Sequence, residues 1–304
     1  MHYLNWRKTL RNAFIYELIE AAKHQNIALV VGDIGYSVVE PFAEAFPDRF
    51  FNAGVAEQNM MGLSAGLASE GFHVFVYSIA NFPTFRCAEQ IRNDVDYHNL
   101  SVTIVTVGGG VSYGSMGYSH HAIQDYAFMR SMPNMMIASP GDPMEVRACM
   151  RYLIENPGPS YLRLGKAGES SVHKSVPVVR PGRCLSIYGD NMSKTFLSTG
   201  ASLQILHKIH DKCLMEGYAI KSMPIWGMNT KKYQSKELQR YANVITVENH
   251  LEDGGFGSWM LESVDSKLRS RVTIKALDSK ICGMVGSESS LHNINGLSYK
   301  NLIP

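Results

Sequence analysis

The sequence has no block of like charge, no long apolar run and no paired-cysteine motif. Its 304 residues carry 29 Lys+Arg against 27 Asp+Glu, a formal net charge of +2. A chain so balanced offers no basic stripe to nucleic acid and no cationic face to an anionic membrane, and neither partner is expected. No apolar stretch approaches the ~18 residues that a membrane-spanning helix needs. The start, Met1-His2-Tyr3-Leu4-Asn5-Trp6-Arg7-Lys8, is polar and aromatic and lacks the apolar centre of a secretion signal. The five cysteines (Cys87, Cys149, Cys184, Cys213, Cys282) are scattered and odd in number, with no Cys-x-x-Cys. Reduced core thiols in a cytoplasmic protein are the expectation. Internal repeats and low-complexity tracts are missing as well.

What is present is alternation. Residues 27–33 form a short apolar run that ends in Gly32-Asp33. That is the pattern of a buried parallel strand with functional groups at its carboxyl end, which makes Asp33 a candidate site residue. Similar runs predict strands at 50–53, 73–78, 102–107, 135–140 and 160–164. Helical patterns lie between them at 6–25, 41–46, 57–70, 82–95, 123–132 and 143–155. Residues 165–183 are rich in Gly, Pro and Ser and read as a linker. A second alternation follows, with strands at 195–200, 218–223, 243–248 and 272–277. Helices are expected at 201–216, near 235–241 and up to about residue 268. The fold class is therefore α/β, with two doubly wound, mainly parallel-sheet domains: residues 1–168, a linker at 169–184, and residues 185–304. The last twenty or so residues carry little pattern.

One stretch stands out. Asn52-Ala53-Gly54-Val55-Ala56-Glu57-Gln58 reads as a tight turn running into a helix, and Gly62, Ser64, Ala65, Gly66 and Ala68 keep that helix slim. Met60, Met61, Leu63 and Leu67 give it a broad apolar face, so it is expected to be buried on most sides. Glu57 is the one carboxylate in these surroundings and a candidate for proton handling. A first-turn acid that merely complements the helix dipole is the plainer reading.

Gly54-Val55-Ala56-Glu57-Gln58 followed by a Gly/Ala-rich helix resembles the pyrimidine-binding domain of transketolases and their thiamine-diphosphate relatives. The segment Val247-Glu248-Asn249-His250, then Gly254-Gly255-Phe256-Gly257, is similar to the C-terminal domain of the same family. The resemblance implies that Glu57 hydrogen-bonds a ring nitrogen of the cofactor's aminopyrimidine and so promotes formation of the nucleophilic ylid. It implies an aromatic wall for that ring at Phe82, with Phe85 the second choice. It places His120 on the substrate's oxygens, and Arg7, Ser37 and Arg163 on its anionic end. His121 stands where the family usually has Gln. Glu89, Arg92, Asn93 and Asp94 resemble an interface helix, with an exposed polar face the equal alternative; the family resemblance implies self-association and an α2β2 assembly. The glycines at 108–110 follow a strand but open no small-residue helix, so they read as a substrate-channel loop rather than a dinucleotide fingerprint.

Two departures touch the sugar-reading layer. A histidine that usually starts the channel loop is replaced near Gly108, and an aspartate that reads the donor's hydroxyl falls at Met116. The family's Mg²⁺-diphosphate motif, Gly-Asp-Gly, occurs nowhere. The resemblance therefore implies the C-terminal half of a split transketolase. Thiamine diphosphate would lie between chains, with the Mg²⁺ ligands on an N-terminal partner subunit and none on this one. The expected activity is transfer of a two-carbon ketol unit between sugar phosphates or modified sugars. Alternatives at this stage are half of a 1-deoxyxylulose-5-phosphate-synthase-like enzyme, a β subunit of a 2-oxo-acid dehydrogenase, or a non-catalytic partner subunit.

Overall fold

The computed structural model describes residues 9–166, 168–212 and 217–302. Arg7, Cys213 and the end of the helix expected to reach residue 216 lie outside them. The first half runs α1 (Leu10–Ala22), β1 (Ile27–Val31), α2 (Glu40–Ala45), β2 (Phe50–Asn52), α3 (Glu57–Ser69), β3 (His73–Ile79), α4 (Asn81–Phe85), α5 (Ala88–Gln90), β4 (Val102–Val107), α6 (Asp125–Met129), β5 (Met136–Ala138), α7 (Pro143–Glu155) and β6 (Ser160–Leu164). The second half runs β7 (Leu185–Tyr188), β8 (Thr195–Ser198), α8 (Ser202–His210), β9 (Ala219–Ser222), β10 (Ile225–Gly227), α9 (Gln234–Leu238), β11 (Val244–Leu251), α10 (Phe256–Ser263), α11 (Ser266–Arg269), β12 (Val272–Leu277), α12 (Glu288–Ile294) and α13 (Tyr299–Leu302).

The first sheet has the order β10-β5-β6-β4-β3-β1-β2, and the second β12-β11-β8-β9-β7. Both are parallel except at one edge. There β10 pairs antiparallel with β5, and β7 antiparallel with β9. The fold is α/β, as the alternation predicts. Strands β7 and β10 are additions to that expectation. Strand β10 comes from the second half of the chain yet completes the first sheet, with Ile225 opposite Ala138.

Helices cover both faces of the first sheet. On one, Phe14, Leu18, Phe42, Val146 and Leu153 from α1, α2 and α7 pack over Leu29, Val31, Phe75 and Leu162. On the other, Met60, Met61 and Ala65 of α3 pack over Val30, Val74 and Val76. Full burial of side chains this size stabilises by about 1.5–3 kcal/mol each. This second core continues without a break into Trp226, Phe256, Trp259 and Met260, so the two sheets share it.

Residues 168–184 contain no helix or strand but are pinned to both halves. The backbone N–H groups of Val172 and His173 each donate to Asp142 Oδ2 at 2.7 Å, and Ser170 N donates to Gln204 Oε1 at 3.0 Å. The helix expected over 82–95 is broken into α4, α5 and a π-helical turn at Ile91–Asp96. Side chains cause part of this: Thr84 Oγ1 donates to Ala80 O and Cys87 Sγ to Pro83 O, capturing carbonyls that a continuous ladder would use. No helix among the described residues is long and apolar enough to cross a membrane.

Candidate active site

Loops converge where the parallel strands of the first sheet end. Asp33 follows β1, the Gly54 turn follows β2, Asn81 and Phe82 follow β3, Gly108 follows β4 and Lys166 follows β6. Ligands of open α/β sheets bind at this carboxyl edge. Asn52, at the end of β2, ties two of these segments together. Its Oδ1 accepts from the N–H groups of Asp33 at 3.1 Å and Gly54 at 3.0 Å, and its Nδ2 donates to Asp33 Oδ1 at 3.0 Å. Asp33 (φ +57°) and Ser37 (φ +63°) both hold left-handed backbone. Non-glycine residues adopt it at a cost, and such residues cluster at functional sites.

Glu57 opens α3 with only 5 % of its side chain exposed. Its Oε1 accepts from Arg86 Nη1 at 2.7 Å. Its Oε2 makes no hydrogen bond among the described residues, yet is not sealed from solvent. The Arg86 guanidinium lies 4.2 Å from the centre of the Phe82 ring. Phe82 meets His120 edge-on at 5.3 Å, and Tyr113 meets the same imidazole at 6.3 Å. Lys166 Nζ is 5.1 Å from the Tyr113 ring centre. His120 is held from behind, its Nδ1 lying 3.0 Å from Ser119 Oγ while Asn81 Nδ2 donates to Ser119 O at 3.1 Å. The result is a continuous row: Glu57, Arg86, Phe82, His120, Tyr113, Lys166.

The other residues named from the sequence fall around this row or outside it. Asp33 and Ser37 are exposed on the rim, where Ser37 N donates to Glu40 Oε1 at 2.7 Å. Phe85 is 47 % exposed and makes no ring contact among the described residues. His121 is buried, with Nε2 3.4 Å from Gly114 O, and burial pushes its pKa down. Met116 is exposed. The departure at Gly108 has a steric reason. Its backbone is left-handed (φ +78°), and a Cβ there would lie 2.1 Å from the Tyr113 ring. Tyr113 fills the place where a larger residue would project.

Arg163 is a correction. Expected on the substrate's anionic end, it is 4 % exposed and its donors are spent inside the protein. Nε and Nη2 donate to Asp125 at 2.6 and 3.2 Å, Nη1 to Tyr126 Oη at 3.2 Å, and Nη2 also to the carbonyls of Ala122 (2.6 Å) and Asn249 (3.1 Å). A strand residue facing an interior acid cannot reach a ligand in the cleft. An exposed cation nearer the end of this strand is Lys166, three residues on, in the loop after β6. Asn52, Arg86, Tyr113 and Lys166 were not singled out from the sequence. Only Lys166 carried a usable signal, its place just past the carboxyl end of a strand.

Residues 2–168 match the family described as transketolase, pyrimidine binding domain. The chain belongs to the transketolase family. Among its relatives is a transketolase C-terminal section from Methanocaldococcus jannaschii, 31 % identical over 97 % of this chain and 94 % of the relative. Another is one of the subunits of an apulose-4-phosphate transketolase from Phocaeicola vulgatus, 30 % identical over 84 % of this chain and 83 % of the relative. A solved split-gene transketolase, an inactive β4 tetramer, superposes with a TM-score of 0.79 at 28 % identity and covers 97 % and 96 % of the two chains. Within the transketolase family this chain corresponds to the C-terminal subunit of the split enzymes, the pyrimidine-binding and C-terminal domains together.

Proposed function

We propose that this chain is the pyrimidine-binding subunit of a two-chain, thiamine-diphosphate-dependent transketolase. It would move a two-carbon ketol unit between sugar phosphates or modified sugars. The observation that carries the reading is Glu57: a buried acid at the mouth of the cleft, with one oxygen anchored and the other open, beside the Phe82 ring. Those groups fit the aminopyrimidine half of the coenzyme, a flat weakly polar ring that needs one acid at its edge and an aromatic wall. The lack of a Gly-Asp-Gly motif in this sequence supports placing the diphosphate and Mg²⁺ sites on a partner subunit. The exposed side chains of Tyr36, Val55, Phe85, Met116 and Tyr118 border the cleft and suit a face that this partner covers.

The coenzyme, when bound, supplies the nucleophilic carbon that accepts the two-carbon unit. Glu57 Oε2 would be the atom that shares a proton with a ring nitrogen of the bound coenzyme. Phe82 and, further out, Phe85 wall the ring and exclude water, and Asp33, fixed by Asn52, borders the turn that presents Glu57. His120 orients substrate oxygens. Lys166, Ser37 and Arg7 hold the anionic end, with Lys166 in the role expected of Arg163. Met116 in place of an acid, and the filled space at Gly108, support an acceptor or donor with fewer or rearranged hydroxyls.

The test is to co-purify this chain with a subunit that carries Gly-Asp-Gly and to measure coenzyme binding and ketol transfer. Glu57→Gln is expected to lower turnover by about 10²–10⁴-fold, the range for loss of a positioned proton-transfer group. Unchanged turnover would remove Glu57 from the mechanism.

A further inference from the structure

We infer that Arg86 is a positioning residue for Glu57: it anchors Oε1 so that Oε2 alone is presented to the coenzyme ring. The inference rests on the functional reading above and adds to it a residue that reading does not use. A glutamate carboxyl has broad, roughly two-fold freedom about its last torsion. Glu57 opens its helix, and the preceding residue, Ala56, provides no side-chain cap. Among the described residues its carboxylate has one hydrogen bond, the 2.7 Å contact from Arg86 Nη1. Without it, nothing tells the two oxygens apart.

Arg86 can do this because it is itself fixed at both ends. Its guanidinium carbon lies over the Phe82 ring, 4.2 Å from the centroid, a cation–π contact that Arg makes more often than Lys. Its backbone N–H donates to Phe82 O at 3.1 Å, and the next residue, Cys87, is fully buried with Sγ bonded to Pro83 O. The same guanidinium therefore touches both the acid and the aromatic wall. The two lie on different helices, α3 and α4, and Glu57 and Arg86 are 29 residues apart in sequence. A shift of one is passed to the other. Arg86 is 48 % exposed, so it does not complete an interior ion pair for stability alone.

The test uses the assembled two-chain enzyme with Arg86→Lys and Arg86→Ala. Four quantities are read: melting temperature without coenzyme, thiamine-diphosphate affinity by tryptophan fluorescence in Mg²⁺, deuterium exchange at the coenzyme's reactive carbon with no sugar present, and kcat against sugar KM. Arg86→Ala is expected to slow the exchange and kcat together by about 10–100-fold, the cost of a misplaced catalytic group, with sugar KM and melting temperature held. Arg86→Lys should recover part of the loss. Exchange unchanged while the melting temperature falls would reduce Arg86 to a structural contact. Tighter coenzyme binding and faster exchange in Arg86→Ala would mean that the guanidinium obstructs the ring's place, and would overturn the inference. If the unaltered complex binds no coenzyme, the functional reading falls and this inference with it. If only the Arg86 variants behave as the unaltered complex does, the reading stands and the inference alone is lost.

Discussion

Arg163 and Asp125 form an ion pair inside the protein, with Nε 2.6 Å from Oδ2 and side-chain exposures of 4 % and 0 %. Tyr161 Oη donates to the same Oδ2 at 2.6 Å, and the guanidinium reaches across to the carbonyl of Asn249 on β11. The pair thus ties β6 and α6 of the first half to the second sheet. Taking two charges out of water is expensive, and the geometry repays it only while both partners are present. Arg163→Ala strands a buried carboxylate and is expected to cost about 3–5 kcal/mol of stability, read by chemical denaturation. The folded fraction should keep its KM for a phosphorylated substrate. A raised KM with undiminished stability would return Arg163 to the ligand set.

That pair also marks the limit of sequence reading. The strand Ser160–Leu164 is apparent because its neighbours are apolar, and so is the place of Arg163 within it. Its acid is 38 residues earlier and meets it only through tertiary packing. A cation in a strand looks the same whether it serves a ligand or an internal partner. Strand β10 is hidden for a related reason. Three residues after Met223-Pro224 carry no period, and their antiparallel partner is β5 of the other half. The Glu57 turn could be read because its chemistry is local: glycine, acid and slim helix lie within twenty residues.

Lys166 is the cation we propose for the anionic end in place of Arg163. It is exposed beside Tyr113, so its side chain supports no core. Lys166→Met should leave the melting temperature unchanged and weaken a phosphorylated substrate by about 10–100-fold in KM, the cost of a lost hydrogen bond to a charged group. The difference from the unaltered enzyme should shrink as salt is raised, because an exposed charge is screened. Steady-state kinetics at two ionic strengths decides it. Equal KM values in variant and parent would exclude Lys166 from the anion site.

His73 makes the fold sensitive to acid, at the strand end away from the cleft. Its Nε2 lies 2.9 Å from Thr103 Oγ1, which hydrogen-bonds with Ser160 Oγ at 2.8 Å, while its buried Nδ1 has no hydrogen-bond partner among the described residues. Burial pushes its pKa down from 6.5 to about 4. Between those values the unfolded chain binds a proton that the folded chain refuses. Stability from this group is therefore complete above 6.5 and falls as pH drops toward 4, by about 1.4 kcal/mol per pH unit. Buried His250, also pushed to about 4, acts with the same sign. Glu145 and Glu248, raised by burial to about 7 and 8, act with the opposite sign. The clean measurement is the difference between parent and His73→Gln. From pH 6.5 to 5 the parent should lose about 2 kcal/mol more than the variant in urea unfolding. Parallel curves would show that His73 does not titrate as described.

The C-terminal segment, which carried little pattern, braces the loop after β4. Leu291 of α12 is 1 % exposed and packs where a Cβ on Gly114 would lie, 2.4 Å from its Cδ1. Gly286 N donates to Gly114 O at 3.2 Å, and Ser112 Oγ donates to Glu288 Oε1 at 3.0 Å. These contacts fall on both sides of Tyr113, in the loop that goes on to His120. Glu57 and Phe82 sit on α3 and α4 and share none of them. Leu291→Ala opens a cavity under the loop and should cost about 2–5 kcal/mol. On the function proposed above, the loop carries the side chains that would face the sugar while those that would face the coenzyme lie elsewhere, so the loss should divide unevenly. Sugar KM should rise while thiamine-diphosphate affinity, measured on the same two-chain preparation below its melting temperature, stays at the parent's value. If both weaken in step, the segment supports the whole cleft rather than the loop.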